Sequence, residues 1–351
     1  MRTITWDDEK QTLQMIDQRL LPRVFKINTY EDPQEIANAI QSMVVRGAPA
    51  IGAAAAFGMA LAAIHSEAST VESIKNALNY AAEILKASRP TAVNLSWAVD
   101  MMASAIDDYS GSPQNLRKVL IDKAKQIAED DVVINQKMAS YGAALIEDGD
   151  YILHHCNTGA LATVDWGTAL GVIRMAHEQG KAIHVYVDET RPRLQGMRLT
   201  SWELEQYGIS YDIITDNSAG YLMRQGLVQK VFFGADRVVA NGDVANKIGT
   251  YMLSLAAYDN GVPAYCVAPT STIDLCLERG DQIPIEEREG KEILDLMLMG
   301  QNAAPEQATA KNFAFDITPH RLISGWVTEL GVIRPPFNKN YHTLLESQSV
   351  A

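Results

Sequence analysis

Asp148-Gly149-Asp150-Tyr151-Ile152-Leu153-His154-His155-Cys156-Asn157-Thr158-Gly159-Ala160 is where the texture of this 351-residue chain changes. The Asp-Gly-Asp turn is followed by a short apolar run, 151–155, which reads as a strand bounded by turn residues. Beyond it, strand candidates at 182–187, 212–215, 230–233 and 264–267 alternate with helical segments at about 166–178, 201–207, 218–226 and 246–258. Such alternation implies an α/β fold with a parallel sheet covered by helices on both faces. Ligands of such sheets collect beyond the carboxyl ends of the strands, so the residues just after each strand are the ones to inspect for chemistry.

Working back toward residue 1, the chain is mainly helical after a strand-like opening at 3–6 and 24–27. A helix is expected from about Asp32, with Pro33 in its first turn and Ile36, Ile40 and Met43 at helical spacing. Further helices are expected at about 49–64, 70–87, 91–107 and 114–139, the last two separated by Ser110-Gly111-Ser112-Pro113. The end, 346–351, reads as a loose tail. These textures give a smaller, mostly helical domain at 1–129 and a parallel-sheet domain at 130–351; the length and the 47% apolar content support two cores.

Composition excludes several classes of function. A net charge of −13 is unfavourable for a phosphate-backbone binder, because that affinity rests on Lys and Arg displacing counterions, so no nucleic-acid partner is expected. Cys156, Cys266 and Cys276 form no CxxC pair and no metal-spaced set, which suits a reducing compartment. The start lacks an apolar signal core, and no apolar run reaches the roughly 20 residues of a membrane span. The longest candidate, about 53–64, stops at His65 and Glu67. A cytoplasmic protein with no membrane partner is expected. Neither GxGxxG nor GxxxxGK[ST] is present, so no nicotinamide or nucleotide cofactor is expected.

Five places carry candidate chemistry. Cys156 lies just past a strand and before a small polar turn and an expected helix, where backbone amides favour a thiolate; a base or nucleophile and a buried structural thiol stand level. His154 and His155 suggest a metal site with Cys156, but adjacent strand residues point to opposite faces, so no metal is expected. Asp236 ends the apolar strand Val231-Phe232-Phe233-Gly234-Ala235; burial there would raise its pKa and make it a general acid, while a capping carboxylate or a partner for Arg237 is the plainer alternative. Asn246 and Lys247 fall where a helix is expected to begin, a place suited to an anionic ligand, although taken alone an Asn-Gly turn followed by a surface lysine is the preferred account. In the first domain, Arg46-Gly47-Ala48-Pro49 offers a guanidinium fork and close backbone approach before an alanine-rich helix, which also suits tight helix packing. Arg191 or Gln195, after the strand at 182–187, is placed to face a substrate.

Taken together, the blocks VVRGAPAIG (44–52), HCNTGALAT (155–163), DETRPRLQGMRLT (188–200), GADRVVANGDVANKIGTY (234–251) and FDITP (315–319) resemble the family of methylthioribose-1-phosphate isomerases. That family is shared with ribose-1,5-bisphosphate isomerases and the regulatory subunits of a translation-initiation exchange factor. The resemblance runs from about Trp6 to Arg334 and implies a smaller amino-terminal domain, a Rossmann-like carboxyl-terminal domain and a homodimer. It further implies that Cys156 and Asp236 are the catalytic pair of an aldose–ketose isomerase, and that Arg46, Gly47, Ala48, Arg89, Gln195, Asn246 and Lys247 hold a sugar 1-phosphate. Phe313 departs from the family, which usually has proline there. An extra basic cluster would favour the bisphosphate branch, and none is conspicuous in these blocks. A non-catalytic binding scaffold would have no chemical need for both Cys156 and Asp236.

Overall fold

The computed structural model describes residues 1–66, 69–90, 92–107 and 109–349. The chain folds as two compact units: Met1–Gln136 with Thr158–Gly167, and Lys137–Asn157 with Thr168–Ala351. The first unit opens on an antiparallel sheet of β1 (Ile4–Asp7), β2 (Thr12–Ile16) and β3 (Ile27–Tyr30), in which Ile4 faces Met15 and Leu13 faces Tyr30. Helix α1 (Pro33–Gln41) begins as its sequence signals, with Pro33 in the first turn and the Asp32 carboxylate accepting the Gln34 N–H at 2.6 Å. Helices α2 (Ala48–Ile64), α3 (Val71–Ser88), α4 (Val93–Ser104) and α5 (Pro113–Ala143) follow, and α5 runs from the first unit into the second.

Helix α2 is almost wholly buried, and its alanines and glycines let neighbours close on it. A Cβ on Gly52 would lie 3.0 Å from the Asn94 carbonyl oxygen on α4, and one on Gly58 would lie 3.1 Å from Leu85 on α3. The tight-packing reading of that run therefore holds. Gly47, just before α2, has φ +92°, and a Cβ there would come within 2.2 Å of the Ala162 carbonyl oxygen. Backbone strain and a backbone clash act together, so Gly47→Ala is expected to destabilise the chain by about 2–4 kcal/mol. A lower urea midpoint with an unchanged slope checks this; an unshifted midpoint contradicts it.

The second unit contains, in chain order, β4 (Tyr151–His154), α6 (Ala169–Glu178), β5 (His184–Asp188), α7 (Ser201–Tyr207), β6 (Ser210–Ile214), α8 (Ala219–Arg224), β7 (Lys230–Phe233), β8 (Arg237–Val239), β9 (Val244–Lys247), α9 (Thr250–Asp259), β10 (Ala264–Val267) and β11 (Ile273–Asp274). After these come β12 (Glu287–Arg288), α10 (Lys291–Leu294), β13 (Met297–Leu298), β14 (Gln301–Asn302), β15 (Asn312–Phe313), β16 (Phe315–Thr318), β17 (Gly325–Thr328), β18 (Gly331–Ile333) and α11 (Phe337–Ser349). The main sheet has the order β18-β17-β10-β7-β4-β5-β6 and is parallel except for β18 against β17. Strands β7 and β10 are buried at every residue, as a sheet covered on both faces requires. From β4 the chain builds outward through β5 and β6, then returns to place β7 on the other side of β4. The order of construction reverses between β4 and β7, the kind of crevice in which α/β sheets bind ligands. A second sheet, β11-β8-β9-β16, continues from the end of β7.

Several expectations are corrected. The strand expected at 24–27 is β3, beginning at Ile27 and paired to an unforeseen β2 whose Thr-Leu-Gln-Met-Ile sequence is buried mainly by tertiary packing. The expected tail at 346–351 is largely the end of α11, which extends to Ser349; Val350 and Ala351 lie outside the described residues. Thr91, at the start of the expected fourth helix, and Glu67 also lie outside them. Among the described residues, no helix is long and apolar enough to cross a membrane.

Candidate active site

Cys156 sits two residues beyond β4, is 7% exposed, and adopts φ +66°, a left-handed conformation unusual for a side chain with a Cβ. Two threonines hold its peptide groups in that shape. The Cys156 N–H donates to Thr190 Oγ1 at 3.0 Å, and the Cys156 carbonyl accepts from Thr200 Oγ1 at 2.7 Å. Thr190 is itself at φ +61°, and the Asp216 carboxylate fixes that turn by accepting the N–H groups of Thr190 (2.7 Å) and Arg191 (2.8 Å). Asn157 donates to Thr200 Oγ1 and to Glu203. Beyond Cys156 a single 3-10 turn, Ala160–Ala162, precedes α6 (Ala169–Glu178), the helix expected at about 166–178.

Asp236 follows β7, and its N–H donates to the Ala245 carbonyl at 2.9 Å, so the hairpin of β8 and β9 brings it beside Asn246 and Lys247. Arg237 bridges to Asp274 at 3.4 Å, which gives that arginine a partner other than Asp236. The side chain of Asp236 is exposed, so the burial expected at the strand end is not found.

Asn246 and Lys247 are not the start of a helix. They belong to β9, where Asn246 faces Asp316 and Lys247 faces Phe315 across the antiparallel ladder, and α9 begins only after Gly249 at φ +105°. Asp316 accepts the N–H of Gly249 at 2.7 Å and of Tyr251 at 3.1 Å. Lys247 is 7% exposed, donates to the Ala314 carbonyl at 2.7 Å, and lies 4.4 Å from the Phe315 ring centroid. Burial lowers its pKa, helped by Arg288, while Cys156, Asp236 and Glu286 act against that by favouring its charge. The ammonium thus feels both proposed catalytic groups. Asn246 donates to Thr250 Oγ1 at 2.9 Å.

Gln195 is 6% exposed, and its buried Oε1 accepts no hydrogen bond. Its loop is pressed against β5, since a Cβ on Gly196 would come within 1.7 Å of the Asp188 carbonyl oxygen. Arg191 is spent on backbone, donating to the carbonyls of Pro192 and Ile293, which leaves Gln195 as the candidate of the two. In the first unit, Gly47 caps α2 with no side-chain hydrogen bond, Ala48 begins that helix, Arg46 is half-buried, and Arg89 caps α3 at its carboxyl end.

The two histidines before Cys156 diverge. His154 Nδ1 donates to the Phe232 carbonyl at 3.0 Å, whereas His155 Nδ1 lies 2.8 Å from Asp188 Oδ2 and Nε2 lies 3.0 Å from the Ile248 carbonyl. His155, Asp188 and Asp216 bring ligand-type atoms within 4.8 Å of one another. Both ring nitrogens and both Asp216 oxygens are already in hydrogen bonds, so the trio is a hydrogen-bonded cluster rather than an open ligand set. Burial, aided by the charge of His155, lowers the His154 pKa to about 3. The unfolded chain therefore binds a proton that the folded chain refuses between about pH 6.5 and 3, and stability falls with acidification by up to about 1.4 kcal/mol per pH unit from this group. Urea midpoints at pH 7 and pH 5 check this: His154→Asn, which keeps a donor for Phe232, is expected to flatten the loss, and an unchanged loss contradicts it.

The residues missed from sequence are Asp188, Thr190, Thr200, Asp216 and Asp316. Four of the five fall inside quoted blocks or beside them, since Asp188, Thr190 and Thr200 belong to 188–200 and Asp316 to 315–319. Their roles are contacts to backbone and, for Asp188, to the His155 ring, which composition and spacing do not show.

The sequence pattern of the Initiation factor 2 subunit family matches residues 44–335. The chain belongs to that family. Within it, the chain is 49% identical over 333 residues to a methylthioribose-1-phosphate isomerase of Synechococcus sp., covering 95% of each chain. The crystal structure of 5-methylthioribose 1-phosphate isomerase from Pyrococcus horikoshii OT3 is similar with a TM-score of 0.93 and 45% identity, over 99% of this chain and 96% of that one. The crystal structure of translation initiation factor eIF-2B, subunit delta, from A. fulgidus is similar with a TM-score of 0.89 and 43% identity, over 99% of both chains. These likenesses bear out the α/β fold class and favour the isomerase reading over the bisphosphate and non-catalytic alternatives.

Proposed function

We propose that the chain converts 5-methylthioribose 1-phosphate to 5-methylthioribulose 1-phosphate, as a step of methionine salvage. The observation that supports this reading is the placement of Cys156 and Asp236 just past the adjacent parallel strands β4 and β7, at the reversal point of the sheet, with Asp236 hydrogen-bonded to Ala245 on β9, the strand that carries Lys247.

An ordinary aldose isomerase works on a free aldehyde, but phosphate on C1 locks this sugar in its ring. Asp236 as the acid donates a proton to the ring oxygen as the bond from C1 to that oxygen breaks. Cys156 as thiolate removes the C2 proton, leaving a C1–C2 enol that still carries the phosphate. Protonation at C1 with loss of the C2 hydroxyl proton then gives the ketose 1-phosphate, and the two protons gained equal the two lost. Because Asp236 is exposed in the free chain, this route requires bound substrate to take its carboxyl out of water. Arg46, Gly47, Ala48, Arg89, Gln195, Asn246 and Lys247 are the proposed substrate contacts, with Arg46 suited to the phosphate.

Turnover in D₂O tests the proton route. Carbon-bound deuterium at C1 of the product is expected; its complete absence would instead indicate a hydride shift from C2 to C1. The chain is further proposed to act in the cytoplasm as a homodimer. Tyr221 on α8 and Met252 and Tyr258 on α9 expose apolar surface of the kind a second copy covers, and sedimentation velocity reads the state directly.

A further inference from the structure

His155 enters neither the proposed proton transfers nor the substrate contacts, yet it is 1% exposed and its ring joins three parts of the site. Nδ1 faces the Asp188 carboxylate at the end of β5 at 2.8 Å, and Nε2 faces the carbonyl of Ile248, the residue after Lys247, at 3.0 Å. Its own backbone leads directly into Cys156. Both partners are acceptors. A neutral imidazole has one N–H and would leave a lone pair against an oxygen on the other side, whereas an imidazolium donates to both.

We propose that His155 is a positioning residue held as an imidazolium, whose two N–H groups tie the Cys156 turn to the Lys247 turn across β4, β5 and β9. The role in turnover rests on the isomerase reading above; the charge state does not.

The surroundings agree. The charged and titratable groups facing the ring are Asp188, Asp216 beyond β6, Asp316 on β16 and His154 on β4. The three carboxylates favour a cation here, and His154 is kept neutral by its burial. Burial opposes the imidazolium, but the Asp188 hydrogen bond and charge, with Asp216 and the Ile248 carbonyl, outweigh it and leave the His155 pKa raised. Asp188 is also buried, and its Oδ1 has no hydrogen-bond partner, so its charge leans on His155. The backbone makes room for the ring: a Cβ on Gly249 would stand 2.9 Å from His155 Cε1, and glycine also permits the φ of +105° there. A raised histidine pKa means that the contribution is present at and below the ordinary histidine range and is lost as pH rises through the folded value.

The test is a long-range proton–nitrogen NMR spectrum of the whole chain with ¹⁵N-labelled histidine. An unperturbed imidazole, with a pKa near 6.5, carries a single ring proton at pH 8.5. The expected result is one histidine with both ring nitrogens protonated, converted to a singly protonated ring or lost in Asp188→Asn. If every histidine at pH 8.5 carries a single ring proton, the proton resides on Asp188 or is absent, and the proposal is overturned. In turnover assays, His155→Gln is expected to lower kcat by about 10- to 100-fold with KM changed less than about threefold, the mark of misplaced catalytic groups rather than lost binding. Wild-type kcat and KM in His155→Gln, with the protein folded, would equally overturn it. Failure of the wild-type chain to turn over the sugar phosphate would refute the isomerase reading and leave the NMR result standing.

Discussion

Cys156→Ala is expected to lower turnover of 5-methylthioribose 1-phosphate by about 10²–10⁴-fold, the loss that accompanies removal of a positioned acid–base group. The folded chain should be nearly unaffected. The hydrogen bonds that fix this residue run through its backbone N–H and carbonyl, to Thr190 and Thr200, and alanine keeps both. The left-handed backbone at φ +66° is as strained for alanine as for cysteine, so that cost cancels. An unfolding midpoint close to that of the parent, together with the loss of turnover, separates chemistry from stability. Turnover within about threefold of the parent would remove Cys156 from the catalytic role.

Asp236→Asn is expected to cost a similar factor for a different reason. Asparagine keeps the size and a polar head but has no acidic proton to give the ring oxygen, so ring opening loses its acid. Because Asp236 is exposed and asparagine keeps the N–H that donates to the Ala245 carbonyl, the substitution should leave stability within about 0.5 kcal/mol. The shape of the pH profile is the second readout. The parent should lose kcat as pH rises and the acid is titrated, and that limb should disappear in the variant. A retained limb would assign the acid to another group.

Five strands of the main sheet, β4, β5, β6, β7 and β10, were the legible part of this fold, while β17 and β18 were not expected. Strands β7 and β10 lie where apolar runs bounded by turn residues placed them, because a strand buried on both faces leaves a local signature in sequence. The second sheet left none. Asn246 and Lys247 are polar, follow a turn, and precede a helix; what makes them a strand is pairing with Asp316 and Phe315, nearly seventy residues away. Long-range pairing also hid β2.

The candidate site divides the same way. Cys156 and Asp236 could be singled out as residues just past strands, but position left each level with a structural explanation, and the family resemblance supplied their roles. Arg89 came from the resemblance alone. The exposure of Asp236 ran against expectation because the end of β7 opens directly into the β8–β9 hairpin, so the carboxylate rides on a turn and not in the core. The residues that hold Cys156 in place act through single hydroxyl and carboxylate contacts to backbone, and such contacts become visible only once the strands are assembled.

The central claim is tested most directly by presenting 5-methylthioribose 1-phosphate and ribose 1,5-bisphosphate to the chain side by side, with Cys156→Ala as control and products identified by carbon NMR. Conversion of the methylthio sugar to its ketose 1-phosphate, lost in the variant, is the predicted result. Conversion of the bisphosphate alone, or of neither sugar, would contradict it.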